Sequence, residues 1–199
     1  MKIIAHRRNT IEELVSTPTQ YGIEVDIRSN GRDLVIHHDP FAQGEKFEDW
    51  ILAYRHETLI LNVKEEGLEA ELLAIMKSYS IENFFFLDQS FPFLIKWSQK
   101  GERRCAVRVS EFESTQTALA LAGQVDWIWV DCFNQFSLTT IDFQRLKSAG
   151  FQLCLVSPEL HGRNAEIEIP KLSVLLNDRC IVPDAVCTKR PDLWELIIS

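Results

Sequence analysis

Short apolar runs alternate with longer, helix-spaced stretches from one end of the chain to the other, and this rhythm limits the fold more than any single residue. The runs that read as strands are Lys2–Ala5, Ile23–Arg28, Thr58–Val63, Phe84–Leu87, Cys105–Val109, Trp127–Val130, Gln152–Val156 and Ala185–Cys187. Another, Asp33–His37, follows the turn signal Ser29-Asn30-Gly31 and reads as a hairpin partner of the second. Helical spacing is clearest in Gly67–Tyr79, where Leu68, Leu72, Leu73 and Ile75/Met76 share a face. Thr115–Ala122, Thr140–Ala149 and Pro191–Ile197 are similar, with Thr139 or Thr140 available as a cap and Gly150 where a helix-ending glycine belongs.

Strands separated by helices pair in parallel through right-handed crossovers. Eight such units close most naturally into a (β/α)8 barrel, the expected fold; an open doubly wound sheet is the alternative. With 199 residues, just under the usual lower limit of about 200, such a barrel has minimal loops and a single domain spanning 1–199. A net charge of -8 argues against a nucleic-acid partner. No apolar run approaches the roughly 20 residues of a membrane span, and Met1-Lys2-Ile3-Ile4-Ala5 gives way to polar residues before a signal-peptide core could form. The five cysteines are odd in number and form no CxxC pair, so free thiols and a cytoplasmic location are expected.

In a barrel, side chains at the carboxyl ends of the strands face the active-site mouth. Those positions hold His6 and Arg7, Glu24 and Asp26, His37, His38 and Asp39, Asn62 and Lys64, Asp88, Arg108, Asp131, Ser157 and Glu159, and Lys189. In Ile23-Glu24-Val25-Asp26-Ile27, strand period two puts both carboxylates on one face. Burying two such groups bare costs several kcal/mol. A divalent cation, Mg2+ or Ca2+, removes that penalty; salt bridges from Arg28 or Lys64 are the competing explanation. On a strand His37 and His38 point in opposite directions, so only one faces the site, and Asp39-Pro40 suggests that the strand ends at His38. An imidazole pair, one basic and one acidic, is what phosphodiester cleavage needs. Arg7 and Lys64 would then hold the phosphate. Phe84-Phe85-Phe86, Phe91 and Phe93 read as core, and His56 carries no chemistry.

His6-Arg7 with Asn9-Thr10, Tyr21-Gly22-Ile23-Glu24-Val25-Asp26, and Leu34-Val35-Ile36-His37-His38-Asp39-Pro40 together resemble the glycerophosphodiester phosphodiesterase family, within the phospholipase-C-like phosphodiesterases. Leu61-Asn62-Val63-Lys64 looks like that family's strand ending in Glu-x-Lys, and the stretch from Asp184 to Asp192 like its closing Thr-Asp-Arg-Pro strand. The resemblance implies a metal-dependent phosphodiesterase acting on a glycerophosphodiester or related small phosphodiester. Glu24 and Asp26 would be ligands of one divalent ion, His6 and His38 the acid/base pair, and Arg7 and Lys64 phosphate ligands. Asn62 stands where the family has a third glutamate; its amide oxygen can ligate Mg2+ or Ca2+ but carries no charge. Asp88 and Asp131, at neighbouring strand ends, are the candidate substitutes. Lys189 replaces an aspartate and adds positive charge, and Glu159 or Arg163 in Ser157–Arg163 is a candidate substrate contact. The segment linking His6-Arg7 to Asn9-Thr10 is shorter than that family's, and the stretch from His38 to Asn62 leaves no room for the small insertion domain many members carry, so there is no insertion domain; both imply a more open site and a different or larger substrate. The alternatives are a catalytically weakened barrel serving as a ligand-binding or regulatory protein, and a barrel enzyme of another class using Lys64 or Lys189.

Overall fold

The computed structural model describes residues 1–198. In chain order the elements are β1 (Lys2–Ala5), α1 (Ile11–Ser16), β2 (Gly22–Asn30), β3 (Asp33–Ile36), β4 (Glu45–Lys46), α2 (Phe47–Ala53), β5 (Leu59–Val63), α3 (Glu69–Ser78), β6 (Phe84–Leu87), α4 (Phe91–Ser98), β7 (Ala106–Val109), α5 (Thr115–Leu119), β8 (Trp127–Val130), α6 (Thr140–Ser148), β9 (Gln152–Val156), α7 (Ala165–Asp178), β10 (Ala185–Thr188) and α8 (Pro191–Ile198). The order is the alternating α/β one that the sequence rhythm implies. Two compact units make up the chain: Ala5–Trp97, and Met1–Ile4 with Ser98 onward.

In the first unit β2 lies parallel to β5, and β5 parallel to β6. The outer half of β2 turns back through Gly31 into β3, which pairs antiparallel from Ile27↔Ile36 to Asn30↔Asp33, and β4 then pairs with β3. Ile23, Val25 and Ile27 are fully buried on one face of β2, and Glu24 and Asp26 are fully buried on the other. An element apolar on only one side yet covered on both has its polar face in a site. α1 begins in a reciprocal cap, with the Thr10 hydroxyl accepting from Glu13 N–H and the Glu13 carboxylate accepting from Thr10 N–H.

In the second unit β7, β8, β9 and β10 pair in parallel, in that order, and Lys2 N–H donates to Asp184 O. β8, Trp127-Ile128-Trp129-Val130, is buried on both faces, and α6 opens in the cap expected of Thr139, closed reciprocally by Asp142. α7 went unforeseen because Pro170 interrupts its sequence pattern. It lies in the second turn, leaves the Glu166 carbonyl without a helical partner, and is tolerated because Ile169, Leu172 and Leu176 bury one face.

Two expectations need correction. β3 ends at Ile36, so His37 and His38 lie beyond it and the opposite-direction argument does not apply to them. Phe91 is half exposed at the start of α4, whereas Phe84, Phe85 and Phe86 are core.

Candidate active site

Five residues from two segments of the first unit, His6, Arg7 and Asn9 and then Asn62 and Lys64, converge on the carboxylate pair of β2. The parallel register sets Asn62 directly beside Asp26, and Lys64, two residues on, falls on the same side. The chain leaving β1 passes over Glu24 and Asp26 in a tight bend. Arg7 takes a left-handed conformation there (φ 51°), unusual for a side chain of its size. That bend aims the Arg7 N–H at Glu24 Oε2, 2.8 Å away, and lets Arg8 N–H donate to the Glu24 carbonyl. The bend is held from outside, where Trp50 Nε1 donates to Arg8 O at 2.9 Å.

Glu24 therefore accepts from Arg7 N–H and, through Oε1, from Asn62 Nδ2 at 2.8 Å, with His6 Nε2 at 3.7 Å from Oε2. Asp26 accepts from Asn9 Nδ2 at 2.9 Å, with Lys64 Nζ at 3.1 Å and Arg7 Nε at 3.4 Å. Asn9 returns a bond by accepting the Asp26 N–H. The two acids titrate apart as a result. Burial, then the neighbouring Asp26 charge, pushes Glu24 up to about 7. Burial works on Asp26 too, but Lys64, Asn9 and Arg7 outweigh it and hold the carboxyl below its usual range.

The donor set fits a hard divalent cation. Two carboxylates face one side of β2, and the Asn62 Oδ1 beside them is buried with no hydrogen-bond partner among the described residues. A buried amide oxygen left unpaired is costly and is a ligand type that Mg2+ and Ca2+ accept. Among the described residues no three His, Cys, Asp or Glu side chains group as a metal site; a third oxygen at this position would have to come from the Asn62 amide. Asp88 pairs with Lys64 at 3.4 Å.

His38 lies at the rim of this unit. His37 N–H donates to Asp26 O, and Arg28 donates from Nε and Nη2 to His38 O at 3.1 and 2.9 Å, so the backbone carrying the imidazole is fixed. The ring, about 41% exposed, bonds Asp39 through Nδ1 at 2.8 Å, which lowers Asp39 and leaves Nε2 facing away from that bond. His56 is structural, its Nε2 on Thr17 O.

Glu159 and Lys189 belong to the second unit. The Glu159 carboxylate accepts from the hydroxyls of Ser157 and Thr188 and from Lys189 N–H, so it ties the end of β9 to the end of β10. Arg163 holds three carbonyls, of Cys132, Asn134 and Pro158. The oriented imidazole of this loop is His161, bound through Nε2 to buried Asp131, which also pairs with Arg108. Sequence reading placed His161 in the Ser157–Arg163 loop without assigning it a contact, and gave Asn9 no role. Asn9 carried a usable signal in its position just after His6-Arg7, whereas the His161–Asp131 pair spans 30 residues and carried none.

No protein-family model and no curated protein matches the sequence. Solved structures do. A candidate glycerophosphoryl diester phosphodiesterase of Agrobacterium tumefaciens superposes with a TM-score of 0.73 at 15% identity, covering 99% of this chain and 97% of that one. A glycerophosphoryl diester phosphodiesterase of Parabacteroides distasonis gives 0.68 at 13%, covering 99% and 85%. The chain shares the fold of glycerophosphodiester phosphodiesterases. It is also similar, at a TM-score of 0.54 and 11% identity over 94% and 86%, to the tryptophan synthase alpha-subunit of Pyrococcus furiosus. Likeness to glycerophosphodiester phosphodiesterases at this identity concerns the fold; the chemistry is argued from the site.

Proposed function

We propose that the protein is a phosphoric diester hydrolase that cleaves a glycerophosphodiester or related phosphodiester with the help of one divalent cation, Mg2+ or Ca2+, in a single-domain (β/α)8 barrel. The observation that carries this reading is the fully buried Glu24–Asp26 pair with Arg7, Lys64 and His6 gathered on it. Glu24, Asp26 and the Asn62 amide oxygen would hold the cation, which when bound supplies charge to polarise a phosphoryl oxygen. Arg7, more than a third exposed, offers a guanidinium to the phosphate, and Lys64 a point charge. His6, oriented by Glu24, takes or returns a proton at its imidazole, and His38 serves as the opposite partner from the rim. The five free thiols fit the reducing cytoplasm, and no helix among the described residues is long and apolar enough to cross a membrane.

The test is hydrolysis of a chromogenic phosphodiester. Turnover should require Mg2+ or Ca2+ and stop with EDTA. His6→Ala and His38→Ala should each lower it by roughly 10²–10⁴-fold with little change in melting temperature. Turnover untouched by EDTA and by both substitutions would overturn the mechanism.

A further inference from the structure

We propose that Asp88 is a positioning residue of the carboxylate site: it shares the Lys64 ammonium with Asp26 and thereby sets how tightly Glu24, Asp26 and Asn62 bind a divalent cation. The inference rests on the phosphodiesterase reading and assigns to that same site a residue which the reading leaves unused.

Two demands meet on Asp26. Its carboxylate is fully buried, and its two oxygens are engaged differently. Oδ2 accepts from Asn9 Nδ2 at 2.9 Å and lies 3.4 Å from Arg7 Nε. Oδ1 has Lys64 Nζ at 3.1 Å and accepts no hydrogen bond from any other described residue. Oδ1 is therefore the oxygen open to a cation, and the ammonium is the charge already beside it. Two cations at one oxygen repel, so a divalent ion binds there only as far as Lys64 can yield.

Asp88 supplies the place to which Lys64 yields. Its Oδ2 accepts from Lys64 Nζ at 3.4 Å, so the ammonium already lies between the two carboxylates. The Lys64 side chain is only 16% exposed, and a mostly buried ammonium needs a charged partner. With Asp26 given over to a cation, Asp88 keeps Lys64 paired and still at the site, where its remaining N–H groups can reach a phosphate oxygen.

The segment carrying Asp88 is fixed on both sides. Asp88 follows β6 directly in the left-handed conformation (φ 58°), which a short polar side chain tolerates and a bulky one does not. The next residue, Gln89, donates from Nε2 to Glu69 Oε1 at 3.0 Å, and Glu69, at the start of α3, is fully buried. Ser90 then accepts the Leu94 N–H on its carbonyl, so α4 begins at once. An ordinary surface ion pair contributes little and needs no such support. A buried glutamate holding the neighbour of a left-handed aspartate is accounted for by an aspartate whose place matters.

The test is a double-mutant cycle read by calorimetric titration of Mg2+ or Ca2+ into metal-free protein, with no substrate present, so that turnover plays no part. Asp88→Asn keeps the shape and the left-handed tolerance but removes the charge. Lys64 then falls wholly to Asp26, and cation affinity should drop about fivefold, or about 1 kcal/mol. Lys64→Met should tighten binding, and on that background Asp88→Asn should change affinity by less than about twofold. Lys64→Gln takes its place if thermal unfolding shows that the methionine variant is not folded. Equal losses from Asp88→Asn in both backgrounds would make Asp88 a ligand or a bare charge and overturn the proposal. So would no loss in the native background, or no gain on removing the Lys64 ammonium. Each of these results leaves the phosphodiesterase reading standing. No binding of either ion by any variant, together with no turnover of the chromogenic phosphodiester, overturns that reading and the role of Asp88 with it.

Discussion

Asn62 gives the carboxylate pair an amide neighbour, and the consequence is a site held together by hydrogen bonds from the protein itself. Its Nδ2 binds Glu24 while its Oδ1 has no hydrogen-bond partner among the described residues. Asn62→Glu adds a third negative charge beside two that already repel. It should lower the melting temperature of the metal-free protein and raise affinity for Mg2+ or Ca2+ by at least about tenfold, or about 1.4 kcal/mol, as measured by calorimetric titration. Unchanged affinity would remove position 62 from the ion site. Glu24 makes a second prediction. Its carboxyl titrates near 7 in the fold, raised first by burial and then by Asp26, against 4.5 for an ordinary glutamate. Between those values the native state binds the proton that the unfolded chain has released, so stability of EDTA-treated protein should fall as pH rises from about 4.5 to 7. Glu24→Gln should flatten that slope; an equal slope in the variant would show that another group causes it. Glu24, Asp26 and Lys64 were legible because a two-residue spacing on a strand is a geometric statement by itself. The Arg7 N–H contact was not, since it depends on a left-handed bend that no residue type there announces.

At the level of elements, apolar runs marked the strands well and helices less evenly. β1, β6, β8 and β9 have the bounds the sequence implies, because each is a four- or five-residue run closed by a polar residue, His6, Asp88, Asp131 and Ser157. α1, α2 and α4 were not foreseen: α1 and α2 are only six and seven residues long, and α4 carries Pro92 within an aromatic cluster that reads as core. β3 stops one residue short of the expected His37 because Asp39 and Pro40 already begin the loop to β4. That loop yields a prediction of its own. Gly44→Ala drives a Cβ into the Ile36 carbonyl, and since backbone is the obstacle, β3 and β4 must part. A loss of about 2–3 kcal/mol in denaturant unfolding is expected, with greater protease sensitivity in the loop after Asp39; a loss below about 0.5 kcal/mol would mean that the loop end is loose. Thr139→Ala, which removes one half of the α6 cap, should cost about 1 kcal/mol and leave that loop unaffected.

For the molecule as a whole, eightfold alternation was the most readable property of the sequence, and at 13–15% identity it is what survives in the solved structures of the same fold. Rhythm persists because each strand and helix needs only the right spacing of apolar residues, which many sequences satisfy. It says little about activity, as the likeness to a tryptophan synthase subunit makes plain. The rhythm does bear on cooperativity. The chain partitions into two compact units, Ala5–Trp97 and the remainder, yet β1, which opens the sequence, belongs largely to the unit containing β7 to β10. A first strand placed with the last ones ties the order of folding together, because the unit from Ser98 onward is incomplete without the chain's beginning. If the chain is one cooperative domain, as proposed, it should unfold in one calorimetric transition, with van't Hoff and calorimetric enthalpies agreeing at roughly 140 kcal/mol near 60 °C, from about 0.7 kcal/mol per residue. Two resolved transitions, each near half that enthalpy, would show that the units melt independently and that the one-domain reading fails.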